Sequence, residues 1–60
     1  MPERKLTVFL VDDESITRNG MKKLFDWESN GFTITGEAEN GRDALPLILS
    51  LKPDIITVSY

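Results

Sequence analysis

Residues Leu6-Thr7-Val8-Phe9-Leu10-Val11 form an almost unbroken apolar run of strand-forming types, closed by Asp12 and Asp13. A strand buried on both faces reads this way, because neither side of its pleat meets water. The period then changes. Between Ser15 and Trp27 the apolar residues Ile16, Met21, Leu24, Phe25 and Trp27 fall largely on one helical face, while Arg18, Asn19, Lys22 and Lys23 point elsewhere, which predicts an amphipathic helix. Gly20 lies on the same side as Ile16 and Leu24, so its missing side chain predicts close packing on the sheet. Asn30-Gly31 supplies a turn.

Phe32-Thr33-Ile34-Thr35-Gly36 alternates large apolar with small polar residues and predicts a second strand, with Ala38-Glu39-Asn40-Gly41 leading out of it. Ala44, Leu45, Ile48, Leu49 and Leu51 return to helical spacing, and Asn40 stands where an N-cap is needed. Pro46 lacks an amide donor and crowds the preceding turn, at roughly 3 kcal/mol in a helix interior, which predicts a delayed start or a kink. Lys52-Pro53 ends this helix, and Asp54 to Tyr60 is strand-like.

Strands alternating with helices of this length predict an α/β protein with parallel pairing and right-handed crossovers. If both crossovers run the same way, the strand order is 1-2-3. If they diverge, it is 2-1-3, with one helix on each face and a switch point beside the carboxyl end of the first strand, where sheets of this kind bind ligands.

Composition narrows the function. The chain has 60 residues, few enough that a domain buries only about 60% of its unfolded surface, so one domain is the limit. Apolar residues at 40% and charged residues at 28% belong to a globular protein. A net charge of −3 speaks against gripping nucleic acid or an anionic membrane unaided. The absence of cysteine removes disulfide and thiolate-metal chemistry and makes a reducing cytoplasm the default. The run Val8 to Val11 is far short of a membrane span, and Met1-Pro2-Glu3-Arg4-Lys5 leads into no signal-type stretch.

Asp12 and Asp13, adjacent at a strand end, repel each other, and a hard cation such as Mg²⁺ relieves that repulsion. Equally, one could cap the next helix while the other is solvated. The string Val8-Phe9-Leu10-Val11-Asp12-Asp13-Glu14, together with Gly36-Glu37-Ala38-Glu39-Asn40-Gly41 and Lys52-Pro53-Asp54-Ile55-Ile56, resembles the amino-terminal half of a response-regulator receiver domain, the phosphoryl-accepting module of two-component signalling. Asp26-Trp27 followed by Gly31-Phe32 is similar to the subset of receivers with an arabinose-regulator type helix-turn-helix output.

The resemblance implies a flavodoxin-like half-sheet of order 2-1-3, with residues 1–60 forming a partial receiver truncated after its third strand. It implies Mg²⁺ at Asp12 and Asp13, and a sensor histidine kinase as partner of a complete parent protein that regulates transcription. It also places Ser59 where the family has its phosphoryl-accepting aspartate. The chain contains no histidine to act as a base, and a serine hydroxyl does not form an acyl phosphate. The later hydroxyl residue and lysine of the family have no counterpart. The expectation is a non-enzymatic segment that binds Mg²⁺ weakly and is not competent for phosphorylation.

Three other classes compete with this. A haloacid-dehalogenase-like phosphohydrolase needs aspartate two residues after its nucleophile, where Glu14 stands. A dinucleotide-binding half-domain needs glycines after the first strand, and there are none. In the third, the segment is an assembly element whose acidic residues are inert, which metal titration separates from a cation-binding one. In the 2-1-3 order Ile55, Ile56, Val58 and Tyr60 form an apolar outer edge guarded only by Asp54, which predicts a homo-oligomer through the third strand.

Overall fold

The apolar run becomes the central strand. In the computed structural model, which describes residues 4–59, the elements are β1 (Leu6–Asp12), α1 (Ser15–Leu24), a 3-10 turn (Glu28–Asn30), β2 (Phe32–Ala38), α2 (Gly41–Leu51) and β3 (Ile55–Ser59). The expectations for Met1 to Glu3 and for Tyr60 fall outside the described residues. The sheet is parallel with order β2-β1-β3, the divergent arrangement of half a flavodoxin-like receiver fold. Val8, Phe9 and Leu10 are sealed from solvent, and burying side chains of this size contributes about 1.5–3 kcal/mol each.

Successive β1 side chains serve opposite faces. Phe9 and Val11 pack with Ala38, Ala44 and Ile48 beneath α2. On the other face Val8, Ile55 and Thr57 line a groove with Met21 and Leu24 of α1. A bulge in β2 passes Thr35 between Ile34, the partner of Val8, and Gly36, the partner of Phe9. The extra residue reverses the alternation. Ile34 therefore pairs on the α1 side, Gly36 and Ala38 turn to the α2 side, and Glu37, opposite Leu10, returns to the α1 side. Gly36 is obligatory here, since a Cβ would lie 2.8 Å from the buried Phe9 ring and 3.1 Å from Leu51.

Helix α1 stops at Leu24, three residues short of the expected end at Trp27. Phe25 turns extended, and the Trp27 indole N–H donates to the Met21 carbonyl at 2.9 Å, serving one of the carbonyls that a helix end leaves unpaired. Trp27 stands edge-on to Phe25 at 4.6 Å and to Phe32 at 6.0 Å between ring centroids. This aromatic cluster replaces the last turn. Gly31, at φ 88°, makes the left-handed closure before β2, as Asn30-Gly31 predicts.

The expected packing of Gly20 against the sheet is not found. A Cβ there would meet nothing within 4 Å, and its neighbours in the stripe, Ile16 and Leu24, are 85% and 89% exposed. The helix is instead turned so that Arg18 and Lys22, one turn apart, both reach Glu37 of β2.

Helix α2 begins directly at Gly41 rather than late. The Asn40 carboxamide oxygen accepts from the Asp43 amide at 2.8 Å, and Pro46 is accommodated inside the helix on an exposed position. Lys52 takes a left-handed cap conformation at φ 50°, its amide donating to the Ile48 carbonyl. At the start of β3 the Asp54 carboxylate accepts from the Thr7 amide at 2.8 Å and the Thr7 hydroxyl at 3.1 Å, while the Asp54 amide donates back to the Thr7 carbonyl at 3.0 Å. This tie fixes the register of β3, and five residues further on it brings Ser59 opposite Asp12. Among the described residues no helix is long and apolar enough to cross a membrane.

Candidate metal centre

β1 and β3 run parallel, so their carboxyl ends share one edge of the sheet. Asp12 ends β1 there, Asp13 begins the loop to α1, and Ser59 is the register partner of Asp12. Asp12 is buried, at 3% exposure, whereas Asp13 and Ser59 are exposed. The Asp12 Oδ1 accepts from the Glu14 amide at 2.9 Å, a short-range turn that leads into α1. Its Oδ2 is also buried and has no hydrogen-bond partner among the described residues. Buried carboxylate oxygens are rarely left without a donor or cation. Asp13 and Ser59 also border a cleft of about 420 Å³ with Glu39, Asn40, Ala44 and Val58.

Whether these residues fit Mg²⁺ can be judged from that orphaned oxygen. Mg²⁺ keeps several waters and takes one or two carboxylates from the protein. A buried free oxygen on Asp12 beside the exposed Asp13 suits that demand. A richer site is not present, because no three His, Cys, Asp or Glu side chains converge on a common point among the described residues. The residue in register with Asp12 on β3 is Ser59, which carries a neutral hydroxyl.

Arg18, Lys22 and Glu37 were not among the expected site residues. Arg18 donates through Nη1 to the main-chain carbonyl of Asp12 and through Nε to Glu37 Oε1 at 2.9 Å, and Lys22 donates to Glu37 Oε2. The hydrogen bond from Lys22, followed by that from Arg18, holds the Glu37 carboxyl below the usual carboxylate range, against the upward push of desolvation. The sequence carried a partial signal in two basic residues at helical i, i+4 spacing and an acid directly after the expected second strand, which the structure extends to Ala38. The bulge that aims Glu37 at them left none.

A parallel half-sheet of order 2-1-3 with an acid pair at its switch point defines a receiver-type α/β segment. The comparisons agree. Over 59 residues, 97% of the chain, it is 36% identical to protein-glutamate methylesterase/protein-glutamine glutaminase 3 of Paramagnetospirillum magneticum, covering 16% of that protein. It is 47% identical over 49 residues, 82% of the chain, to the transcriptional regulatory protein YdfI of Bacillus subtilis, covering 22% of it. To the nitrate/nitrite response regulator protein NarL of Escherichia coli it is 40% identical over 50 residues, 83% of the chain and 23% of NarL. The chain thus spans less than a quarter of the length of each of these relatives. No family profile matches it, and no solved structure does. The chain belongs to the response-regulator receivers, as an amino-terminal receiver-domain portion.

Proposed function

We propose that this segment is a non-enzymatic signalling element that binds Mg²⁺ weakly through Asp12 and Asp13 and does not accept a phosphoryl group. The observation that carries the proposal is the register of β3, which pairs Ser59 with Asp12, at the position where the family resemblance calls for an acceptor carboxylate. A hydroxyl becomes a nucleophile only when a base takes its proton, and the sequence holds no histidine. Bound Mg²⁺ would offset the repulsion between the two carboxylates, with Asp12 Oδ2 and Asp13 as its protein ligands. Affinity for a hard cation follows the charge and number of its ligands, so a neutral third oxygen makes a weak site.

For the parent protein the same proposal gives a sensor histidine kinase as partner, transcription control as output and the cytoplasm as location. Assembly through β3, with Ile56 and Val58 exposed on it, is part of the proposal and is read by light scattering on dilution; a monomer mass at every concentration removes it.

The deciding experiment incubates the protein and its Ser59→Asp variant with acetyl phosphate and Mg²⁺ and follows intact mass. The expected result is no phosphate adduct on the natural sequence and tighter Mg²⁺ binding by the variant. A stable adduct mapped to Ser59, or equal Mg²⁺ affinity in the two proteins, overturns the proposal.

A further inference from the structure

The turn that carries the acid pair is held from two sides. The Glu14 amide takes Oδ1 of Asp12 and leaves Oδ2 as the free oxygen. The Arg18 guanidinium takes the main-chain carbonyl of the same residue, which fixes the peptide plane leading to Asp13. Arg18 is itself anchored. Its Nε bonds Glu37 on β2, its backbone amide donates to the Glu14 carbonyl at 3.0 Å, and its side chain is only 16% exposed. Lys22 occupies the second oxygen of Glu37, so that carboxylate is gripped on both sides.

From this geometry we infer that Arg18 is a positioning residue for the acid pair, bracing the Asp12-Asp13 turn against β2 so that both carboxylates are presented to one cation. The inference rests on the reading of Asp12 and Asp13 as a cation site. A planar guanidinium can bond a carbonyl and a carboxylate at once through its fixed fork, whereas a lysine ammonium on a flexible stem is a point charge. Partners that orient metal ligands matter to affinity at about the tenfold to hundredfold level.

Charge and positioning make opposite forecasts. Arg18 is a cation near the site, so if its charge were all that mattered, its removal would strengthen Mg²⁺ binding, and a lysine in its place would change nothing. If it positions the turn, Arg18→Met and Arg18→Lys both weaken binding. A residue that merely stabilises the fold would lower the melting temperature and leave the affinity of the folded protein as it was.

The test titrates the full chain and the two variants with Mg²⁺ alone, following the Asp13 and Glu14 amide resonances, and measures hydrogen exchange at the Glu14 amide without metal. The expected result is a loss of Mg²⁺ affinity of about tenfold in both variants, with faster Glu14 exchange at unchanged circular dichroism. Unchanged affinity in Arg18→Lys, tighter binding by Arg18→Met, or unaltered Glu14 exchange overturns the inference. Should neither variant fold, Glu37→Gln loosens the anchor while keeping Arg18, and Glu14 exchange at the natural rate there overturns it too. If the natural sequence binds no Mg²⁺, the cation reading fails, and the Glu14 exchange comparison still decides the role of Arg18.

Discussion

Beneath α2 the sheet is closed by side chains without polar atoms, as Phe9, Val11, Ala38, Ala44 and Ile48 meet with no space at Gly36 for even a methyl group. Beneath α1 the same sheet is held by ions. That helix buries none of its residues, reaches β1 and β2 through Arg18 and Lys22, and leaves an apolar groove of about 790 Å³ between Val8, Met21, Leu24 and Ile55. An apolar contact depends on volume and is indifferent to direction, whereas a guanidinium fork works in one geometry. The acid pair is attached to the second kind of face. Its carbonyl and carboxylate are placed by directed bonds, which set angles that hydrophobic packing alone does not.

Two glycines test this contrast, one on each face. Gly36→Ala has the larger effect. A methyl group there meets Phe9 at 2.8 Å and 3.0 Å and Leu51 at 3.1 Å, and Phe9 is fully buried and cannot swing aside. Overpacking of this kind costs about 1–3 kcal/mol, a large share of the stability of a chain this short at about 0.05–0.15 kcal/mol per residue. Urea unfolding followed by Trp27 fluorescence should show a clearly lowered midpoint, and an unchanged midpoint would mean that the α2 face has slack it is not credited with.

Much of this was legible in the sequence where one periodicity dominated. The run from Val8 to Val11 read as a strand buried on both faces, Asn40 could be assigned as a cap from its place before Gly41, and Asp12 and Asp13 could be set at a strand end by counting. What could not be read was tertiary. The bulge at Thr35 lies in an alternating stretch whose letters look regular, yet it decides which face receives Glu37. Without Glu37 in place, nothing predicts that α1 turns Arg18 and Lys22 inward and exposes Ile16 and Leu24. Trp27 suits a helix by its spacing, but its indole and the neighbouring rings of Phe25 and Phe32 stabilise an early stop instead. The Thr7–Asp54 tie spans 47 residues of sequence, so the pairing of Ser59 with Asp12 appears only once the strands are side by side.

The ionic face should respond to acid, and by less than the α2 face responds to a methyl group. Lys22, then Arg18, lowers the pKa of Glu37 in the folded protein, relative to about 4.3 in an unfolded chain. A carboxyl with a depressed folded pKa contributes stability that is fully present above the unfolded value and is lost as pH falls through the folded value. With the Glu37 side chain 32% exposed, screening limits that contribution to about 1 kcal/mol or less. Urea midpoints at pH 7 and pH values stepped down below about 4 should therefore converge between the natural sequence and Glu37→Gln. Hydrogen bonds likewise lower the pKa of Asp54, chiefly from the Thr7 amide, so both proteins weaken in acid and only their difference reports on Glu37. A constant difference across the range would detach the Arg18–Glu37–Lys22 cluster from stability.

Gly20→Ala carries the smallest expected change and the most decisive sign. If the glycine were there to let α1 approach the sheet, a methyl group would destabilise, as it does at Gly36. The space around it is open to 4 Å, and it lies inside α1, between Ser15 and Leu24. A glycine in a helix interior costs about 0.5–1 kcal/mol relative to alanine, through the backbone freedom it gives up on folding. Where the new residue fits the native conformation, that cost is recovered by restricting the unfolded chain. The methyl group would meet no atom within 4 Å, so it adds neither contact nor strain, and the gain comes from the backbone alone. Gly20→Ala should therefore raise the urea midpoint by an amount equivalent to about 0.5–1 kcal/mol while leaving Mg²⁺ affinity unchanged, since the Arg18 clamp is untouched. A lowered midpoint would show that α1 sits closer to the sheet than its open groove indicates, and the distinction between a packed face and a clamped one would fail with it.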